Sequence, residues 1–414
     1  ILWGIHANAL AYSMTTLSAG MMSSIFNFYY VKLFLNRYKI SETAFHVAQV
    51  VYMIWNASSE ALFGCARDIG RRRLSAVPAP LYGLAFLLPW FPWQRPEQGG
   101  WLGGLQLAAA LCAFGGLLSS LQRAPRAPLP ASAGRLAALV GSTSVLFCGL
   151  VSDNMDNFAA FQAFAVVIAA LATACVCCTG KYSGSEGEQR GHAEGAALEN
   201  GDGASSLASV FSLAKQIMSE KNFVCFVTMN FFQVFHLAFY NNFMMIFADN
   251  LIPKDVLSSS LRSVMYGAGF ICPQCLVLLS HASLKKFGYY RVILFSFYYE
   301  GVAAAVMCLL GQEHYHLLAL YITTNILCCA LICFFPKYFR LPLFSMFFGT
   351  NALFTKPAQS LAPMFVIAIL NHYGYYNLNN VPDLHDAMFY LVCLVPLCIA
   401  VLQILTWTPF SIQN

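Results

Sequence analysis

The stretch FHVAQVVYMIWNASSEALFGC, residues 45–65, decides the fold class of this chain. It is apolar and long enough to cross a bilayer as one helix, yet it contains the acid Glu60. A charge at the bilayer centre costs about 2.5–3.5 kcal/mol even on insertion scales, so a functional role and a partner for Glu60 are expected. Steps of three or four residues place further polar and small residues on the same helical face. They are Gln49, Tyr52, Asn56 and Gly64.

The composition indicates an integral membrane protein made of helices. Of the 414 residues, 58% are hydrophobic and only 10% are charged, against roughly 25% charged in a soluble domain. The fifteen cysteines lie mostly inside apolar runs, so they predict no disulfide framework. The sequence shows no phosphate-binding glycine loop, hydrolase triad or nucleic-acid motif. Cys272 and Cys275 have metal-type spacing, but they lie within a span and lack a second pair, so no metal site is predicted. We therefore predict a non-enzyme whose partner is the lipid bilayer, with no bound cofactor and no nucleic acid.

Twelve apolar segments are each long enough to span a membrane. The first six lie near residues 8–34, 45–66, 76–93, 102–121, 134–152 and 158–179. The other six lie near residues 223–247, 262–281, 292–311, 316–335, 343–370 and 386–407. We therefore predict an all-α membrane protein with an N-terminal six-helix bundle over residues 1–179 and a C-terminal six-helix bundle over residues 222–414.

Residues 180–221 are predicted to form a linker between the two bundles. Residues 180–206 are rich in Gly, Glu, Ser and Ala without apolar periodicity, which is typical of disorder. A helical apolar stripe follows, and it favours an amphipathic helix on the membrane surface over an extension of the seventh span. The stripe consists of Leu207, Val210, Phe211, Ala214, Ile217 and Met218.

The distribution of basic residues predicts the orientation in the membrane. If both termini are cytoplasmic, the cytoplasmic loops hold 16 lysines and arginines and the opposite loops hold six. The positive-inside rule therefore favours cytoplasmic termini and a cytoplasmic linker. The sequence is compatible with the plasma membrane or an endomembrane.

Several polar residues are predicted to lie at membrane depth besides Glu60. Lys356 lies in the eleventh span, where it is a candidate ion-pair partner of Glu60, and Pro357 and Pro363 are expected to break that helix. In the seventh span, polar residues share a face that lines a cavity or forms hydrogen bonds between helices. These residues are Asn230, Gln233, His236 and Tyr240. Glu300 in the ninth span is expected to snorkel or to pair with Arg291.

Two loops at equivalent places in the halves resemble each other and a known signature. The loop after the second span contains Gly64, Asp68, Gly70 and Arg71, followed by two more arginines. This resembles the gating-loop signature of the major facilitator superfamily, with the Asp-to-Gly spacing one residue short. The loop after the eighth span, LKKFGYYR at residues 284–291, is similar in character. The resemblance implies the superfamily's fold, with a site between two bundles.

The string WNASSEALFG, residues 55–64, resembles the cation-site motif of the glycoside–pentoside–hexuronide:cation symporters, the melibiose-carrier family. Segments FYYV at 28–31, QVFH at 233–236 and TKPAQSLAP at 355–363 resemble the transmembrane protein 180, or major facilitator superfamily domain-containing protein 13, group of animal proteins. The resemblance implies a cation site formed by Asn56, Ser59 and Glu60 with Lys356 nearby. Ser59 replaces the family's Asn, Ala61 replaces its Pro, and the first span lacks an acid.

Two functions remain open at this point. The first is a secondary transporter that symports a small polar solute, such as a sugar, with a cation. With one acid at the site, a proton is favoured over sodium. The second is a transporter-like membrane protein with a degraded cation site and a scaffold or surface role. The predicted substrate cavity adds residues from three spans: Gln49, Tyr52, Asn230, Gln233, His236, Tyr240 and Gln359.

Overall fold

A computed structural model describes most of the chain as twelve α-helices and one short π-helical segment. It covers residues 7–69, 79–93, 101–123, 131–194, 219–279, 288–334, 344–375 and 381–410, without some side chains, including those of residues 59–69 and 180–194. The first six helices are α1 (Ala7–Lys32), α2 (Glu42–Ile69), α3 (Ala79–Leu87), α4 (Trp101–Arg123), α5 (Ala131–Ser152) and α6 (Phe158–Glu194). The other six are α7 (Lys221–Leu251), α8 (Ser259–Leu279), α9 (Tyr289–Leu310), α10 (Tyr315–Phe334), α11 (Phe344–His372) and α12 (Val381–Trp407).

Each helix coincides with one of the predicted spans, which confirms the all-α architecture. Within the described ranges, seven helices have segments long and apolar enough to cross a membrane by length and composition. They include Gly134–Ser152 in α5, although that span follows a proline-rich stretch. The protein is therefore a multi-pass membrane protein.

Helix α6 differs from its prediction because it continues to Glu194, 15 residues beyond the predicted end at residue 179. The expectation of disorder is wrong over residues 180–194. Glu186, Glu188, Gln189 and Arg190 are good helix formers, so a helix already nucleated in the bilayer extends through them. The predicted amphipathic helix at residues 207–218 lies outside the described residues.

The helices pack as two bundles whose contacts repeat between the halves. In the N-terminal bundle α1 packs on α5 and α6, and in the C-terminal bundle α7 packs on α11 and α12. Across the interface, α2 packs on α11 and α5 packs on α8. The two cross-interface pairs exchange when the halves are exchanged, since α2 corresponds to α8 and α5 corresponds to α11. The pattern is that of two related six-helix units facing each other.

Close approach between α5 and α8 depends on a glycine. A Cβ atom added at Gly267 would lie 2.7 Å from the Cβ of Leu146, closer than real side chains allow. The absence of a side chain there lets the two bundles come together at this point, as small residues do at helix interfaces in membranes.

One end of the molecule, here called the hairpin end, carries the connections from each odd-numbered helix to the even-numbered helix that follows it. Its described parts are residues 33–41, 88–93, 153–157, 252–258, 311–314 and 373–375. At this end α1 passes through the π-helical segment Leu33–Arg37 before the chain turns into α2. Helix α11 runs towards the same end without interruption, with Pro357 and Pro363 inside it. The prediction that these prolines break the helix is therefore wrong, because transmembrane helices tolerate proline where neighbouring helices pack against them, as α2 and α7 do here.

Candidate functional site

The two bundles meet at membrane depth through a lysine and an asparagine. Lys356 follows the start of the 29-residue helix α11 by twelve residues, and Asn56 follows the start of the 28-residue helix α2 by fourteen. Both therefore lie near the middle of their helices. The Nζ atom of Lys356 donates a hydrogen bond to Oδ1 of Asn56 at 3.0 Å. Asn56 is buried and Lys356 is half-buried, so a partly desolvated cation lies between the bundles.

Glu60 lies four residues after Asn56 in the same helix, so the two positions share a face. The side chains of Glu60 and Ser59 lie outside the described residues, and the expected pairing of Glu60 with Lys356 stays a prediction. The same holds for the gating loop. The backbone of Gly64 and Asp68 is helical within α2, whereas Gly70 and Arg71 lie outside the described part of the chain.

The other predicted cavity residues of these two helices occupy different surroundings. Gln49 is buried and its Nε2 donates to the Tyr30 hydroxyl at 3.4 Å. Tyr52 packs inside the N-terminal bundle, where its ring edge would lie 2.7 Å from a Cβ at Gly115. Gln359 is exposed. Gln49 thus contacts α1 and Asn56 contacts α11, while Gln359 lies on an exposed face of α11.

The polar face of α7 is buried against other helices of the C-terminal bundle. Asn230 Nδ2 donates to Asn351 Oδ1 on α11 at 3.2 Å, and Gln403 Nε2 on α12 donates to Gln233 Oε1 at 2.6 Å. His236 and Tyr240 continue this face and are fully buried. In the described conformation these side chains contact helices of their own bundle, so contact with a solute would require a change of conformation.

Glu300 forms its contact with His236 rather than with Arg291. Its Oε1 lies against Nδ1 of His236, and both side chains are fully buried. The expected pairing with Arg291 is wrong, because nine residues along a helix place the two positions about 13 Å apart. Arg291 is exposed.

A charged network at the hairpin end joins the bundles, and sequence reasoning missed it. Asp249 at the end of α7 accepts from Lys32 of α1 at 2.7 Å and from Arg262 of α8 at 3.0 Å. The Tyr266 hydroxyl donates to the same carboxylate at 3.2 Å. Arg262 is only 3% exposed, and its guanidinium also donates to the backbone oxygens of Ala248 and Leu257. We call Lys32, Asp249, Arg262 and Tyr266 the closing network.

Further contacts between the bundles surround the closing network. Lys32 also donates to the backbone oxygen of Asn154 at 3.1 Å, and Asn154 Nδ2 donates to the Ser259 backbone oxygen of α8 at 3.1 Å. Lys254 and Asp156 form a 3.2 Å ion pair on the surface. The hairpin end is therefore closed in the described conformation.

On the other side of the interface, α2 and the loop before it are bound to α11 and the turn after it. Asn371 donates to Glu42, and a ring nitrogen of His46 lies 3.2 Å from the Met364 backbone oxygen. The Tyr375 hydroxyl donates to Asn36 Oδ1 at 2.5 Å. Burial raises the pKa of Tyr375 to about 12 despite the opposing effect of Asn36, so this hydroxyl remains a hydrogen-bond donor at physiological pH.

The geometry places a half-buried cation between the two bundles and a set of polar contacts between the bundles at one end. The Lys356 ammonium can exchange partners on α2 without unfolding either helix, since lysine carries its charge on a flexible stem. Among the residues that the structure describes, no cluster of three or more His, Cys, Asp or Glu side chains could hold a metal ion.

Comparison with known proteins identifies the fold. No family model matches the chain. The chain is 27% identical to "Transmembrane protein 180" of Gallus gallus over 98% of its own length and 92% of that protein. Its structure is similar to those of the nucleoside transporter NupG and a D-xylose-proton symporter, each with a TM-score of 0.59 and 14% identity. These similarities cover 98% and 96% of this chain, and the same shares of the respective known structures. The chain is therefore an all-α membrane protein with the two-bundle fold of the major facilitator transporters.

Proposed function

We propose that this protein is a secondary active transporter that moves a small polar solute by alternating access, coupled to a cation. The observation that carries the proposal is the Lys356–Asn56 hydrogen bond at the middle of the interface between the bundles. Transporters of this architecture bind their substrates and coupling ions near the bilayer midplane, between repeats that move against each other. Burying a cation at that depth costs free energy, which favours a functional role for Lys356.

The proposed coupling uses Glu60 as the site of the cation. Deprotonated Glu60 attracts the Lys356 ammonium, and a proton or cation bound at Glu60 releases it. Lys356 then holds its 3.0 Å contact with Asn56, one helical turn away, or turns to the solute. With a single acid at the site, the proposal favours a proton over sodium as the coupling ion. In this proposal Ser59 contributes to the cation site, and Gly64, Asp68, Gly70 and Arg71 form the gating loop.

The similar proteins support a polar solute without identifying it. One is named a nucleoside transporter and another a D-xylose-proton symporter. The motif at residues 55–64 favours the melibiose-carrier type, and the similarity to transmembrane protein 180 favours that animal group. A sugar or a sugar-containing molecule is therefore the first class to test.

The proposed orientation places both termini and the linker in the cytoplasm. Because the hairpin end lies opposite the linker, the described conformation would be closed to the outside by the closing network. The transport cycle would then require Asp249 to separate from Lys32, which lies on the other bundle.

The function is tested by uptake into proteoliposomes containing the purified protein. A panel of radiolabelled sugars, nucleosides and small peptides is offered under an inward proton gradient, and separately under an inward sodium gradient. We expect proton-driven uptake of at least one class and its loss in Glu60→Gln. Glu313→Gln is the matched control, because Glu313 is exposed in the turn between α9 and α10. Uptake that is unchanged in Glu60→Gln would overturn the proposed coupling.

A second candidate function is a transporter-like protein that does not transport and acts as a scaffold or surface protein. The observation that favours it is the absence of any acid from the described helix α1, where sugar-binding relatives of the melibiose-carrier type carry one. Ser59 and Ala61 also replace the residues of the family's motif. If no solute of the panel is taken up or raises the thermal stability of the purified protein, this candidate replaces transport.

A further inference from the structure

A histidine and a glutamate are buried together in the middle of the C-terminal bundle, away from the interface that holds Lys356. His236 follows the start of the 31-residue helix α7 by fifteen residues, and Glu300 follows the start of the 22-residue helix α9 by eleven. Their side chains are in contact through Nδ1 and Oε1, and each is 0% exposed. Two titratable groups thus share a dry site at the centre of the membrane.

Among the described residues, the groups that face this pair from the surrounding helices carry no compensating charge. From α7 comes Tyr240, whose ring centroid lies 4.9 Å from that of His236. From α10 come Tyr321 and Cys328, and from α12 comes Cys393, which approaches the tyrosines. On the same helices, Gln233 of α7 accepts from Gln403 of α12, and Asn325 of α10 donates to the backbone oxygen of Tyr321; all three side chains are buried and neutral. Within the described ranges, no lysine or arginine nitrogen lies within 4.0 Å of Glu300.

The polar atoms of the pair have spare hydrogen-bonding capacity. Apart from the contact between Nδ1 and Oε1, both ring nitrogens of His236 and both carboxyl oxygens of Glu300 are buried without a hydrogen-bond partner among the described residues. No described neighbour offsets a net charge in such surroundings, and its desolvation costs several kcal/mol. The pair is therefore stable only when its total charge is zero, which requires one proton in addition to the N–H of neutral histidine.

We propose that His236 and Glu300 form a proton-binding site inside the C-terminal bundle, separate from the inter-bundle site at Asn56 and Lys356. One proton is held between Nδ1 of His236 and Oε1 of Glu300. It lies on the carboxyl oxygen beside a neutral imidazole or on the imidazole beside a carboxylate, and both forms have zero net charge. Release transfers this proton to water and leaves a carboxylate beside a neutral histidine.

The position of the site links its proton to the movement of the bundles. Helix α7 carries His236 and also packs on α1 of the N-terminal bundle and on α11, which carries Lys356. Proton release creates a net charge, so it requires water to reach the pair. Water can enter only when α7 moves relative to α9, α10 or α12. The proton is thus retained in the described conformation and exchanged in one where α7 has shifted.

The proton is detected directly, without any solute, in the purified protein reconstituted in lipid. Infrared difference spectroscopy reports protonated carboxyl groups by their carbonyl stretch, and nitrogen-15 spectra of ring-labelled histidine report imidazolium. At neutral pH we expect one buried protonated carboxyl that is lost in Glu300→Gln, or one imidazolium signal that is lost in His236→Gln. Glu42→Gln is the matched control, because Glu42 and His46 form the same kind of pair with side chains 29% and 27% exposed. That substitution should leave both signals in place.

The proposal is overturned if wild-type spectra at neutral pH show neither signal, or if the signals persist unchanged in both variants. If Glu300→Gln does not fold, His236→Gln provides the assignment, because loss of the partner shifts or removes the Glu300 carbonyl band. A band that does not respond to this change also overturns the proposal. These spectra use no solute, so their outcome is independent of the uptake assay, and only the coupling of this proton to transport rests on the proposed function.

Discussion

Polar side chains at membrane depth occur in two settings in this protein, between the bundles and within one bundle. Between the bundles, Lys356 is half-buried and donates a hydrogen bond to Asn56. Within the C-terminal bundle, His236 and Glu300 are completely buried and pair with each other. Contacts that must break during alternating access can remain accessible and modest in strength. Contacts within a bundle do not break when the two bundles move as units, and only a shift of α7 within its own bundle would disturb the pair, so the pair can be dry and costly to separate.

The largest expected effect is that of isolating the buried acid. His236→Leu leaves Glu300 without its partner, and removal of one member of a buried pair typically costs about 3–5 kcal/mol. We expect a correspondingly large fall in the stability of the reconstituted protein, measured by denaturant unfolding. The double variant His236→Leu with Glu300→Leu should recover most of the loss, because well-packed apolar residues replace such pairs at little cost. If the double variant is no more stable than His236→Leu, the pair is not the origin of the loss.

The closing network should show a smaller effect that is specific to the interface. Asp249→Asn removes the carboxylate shared by Lys32 and Arg262, and a hydrogen bond to a charged group contributes about 1.5–3 kcal/mol when buried. Asp249 is 25% exposed, so we expect the lower part of that range in thermal unfolding. Asp255→Asn, at an exposed position in the same loop, is the control. Equal stability of the two variants would show that the network does not hold the hairpin end closed.

The close packing of α5 on α8 predicts a steric effect at the same interface. Gly267→Ala places a Cβ 2.7 Å from that of Leu146, and overpacking of this kind costs about 1–3 kcal/mol. Gly134→Ala is the control in α5, since nothing lies within 4 Å of the added atom. That change should be neutral or stabilising by up to about 1 kcal/mol, as alanine is the better helix former. Thermal unfolding of both variants compares them, and a neutral Gly267→Ala would contradict the packing described for this interface.

The smallest expected effect is at the surface of the hairpin end. Lys254 and Asp156 form an ion pair whose side chains are 78% and 58% exposed. Exposed pairs contribute below about 1 kcal/mol, so Lys254→Ala should change the thermal unfolding temperature little. A loss as large as that of Asp249→Asn would mean that the surface pair, rather than the closing network, joins the bundles.

The sequence predicted the helices well because the length of an apolar run determines whether it can span a membrane. It also placed Lys356 opposite α2, through the resemblance of residues 355–363 and 55–64 to known segments. It did not predict the partner of Glu300, which is His236, 64 residues earlier in the chain. Their contact depends on how α7 and α9 are rotated and packed, and the periodicity of a sequence does not specify this.

The closing network was missed for a related reason. Lys32 lies just before the predicted end of the first span at residue 34, and Asp249 lies just beyond the predicted end of the seventh span at residue 247. Each looks like an ordinary flanking charge in sequence. Only the packing of α1 on α7 brings them to 2.7 Å, where they act together with Arg262.

The most direct test of alternating access is a distance measurement across the hairpin end in reconstituted protein. Spin labels are placed at Lys39 and Asp255, which are exposed and lie on different bundles. Because the chain has fifteen cysteines, the labels are attached through unnatural amino acids. We expect a short, narrow distance distribution in the wild type and a second, longer population when Asp249→Asn breaks the closing network or when a transported solute is added. A single unchanged short distance under both conditions would contradict the proposal that the bundles alternate around Asn56 and Lys356.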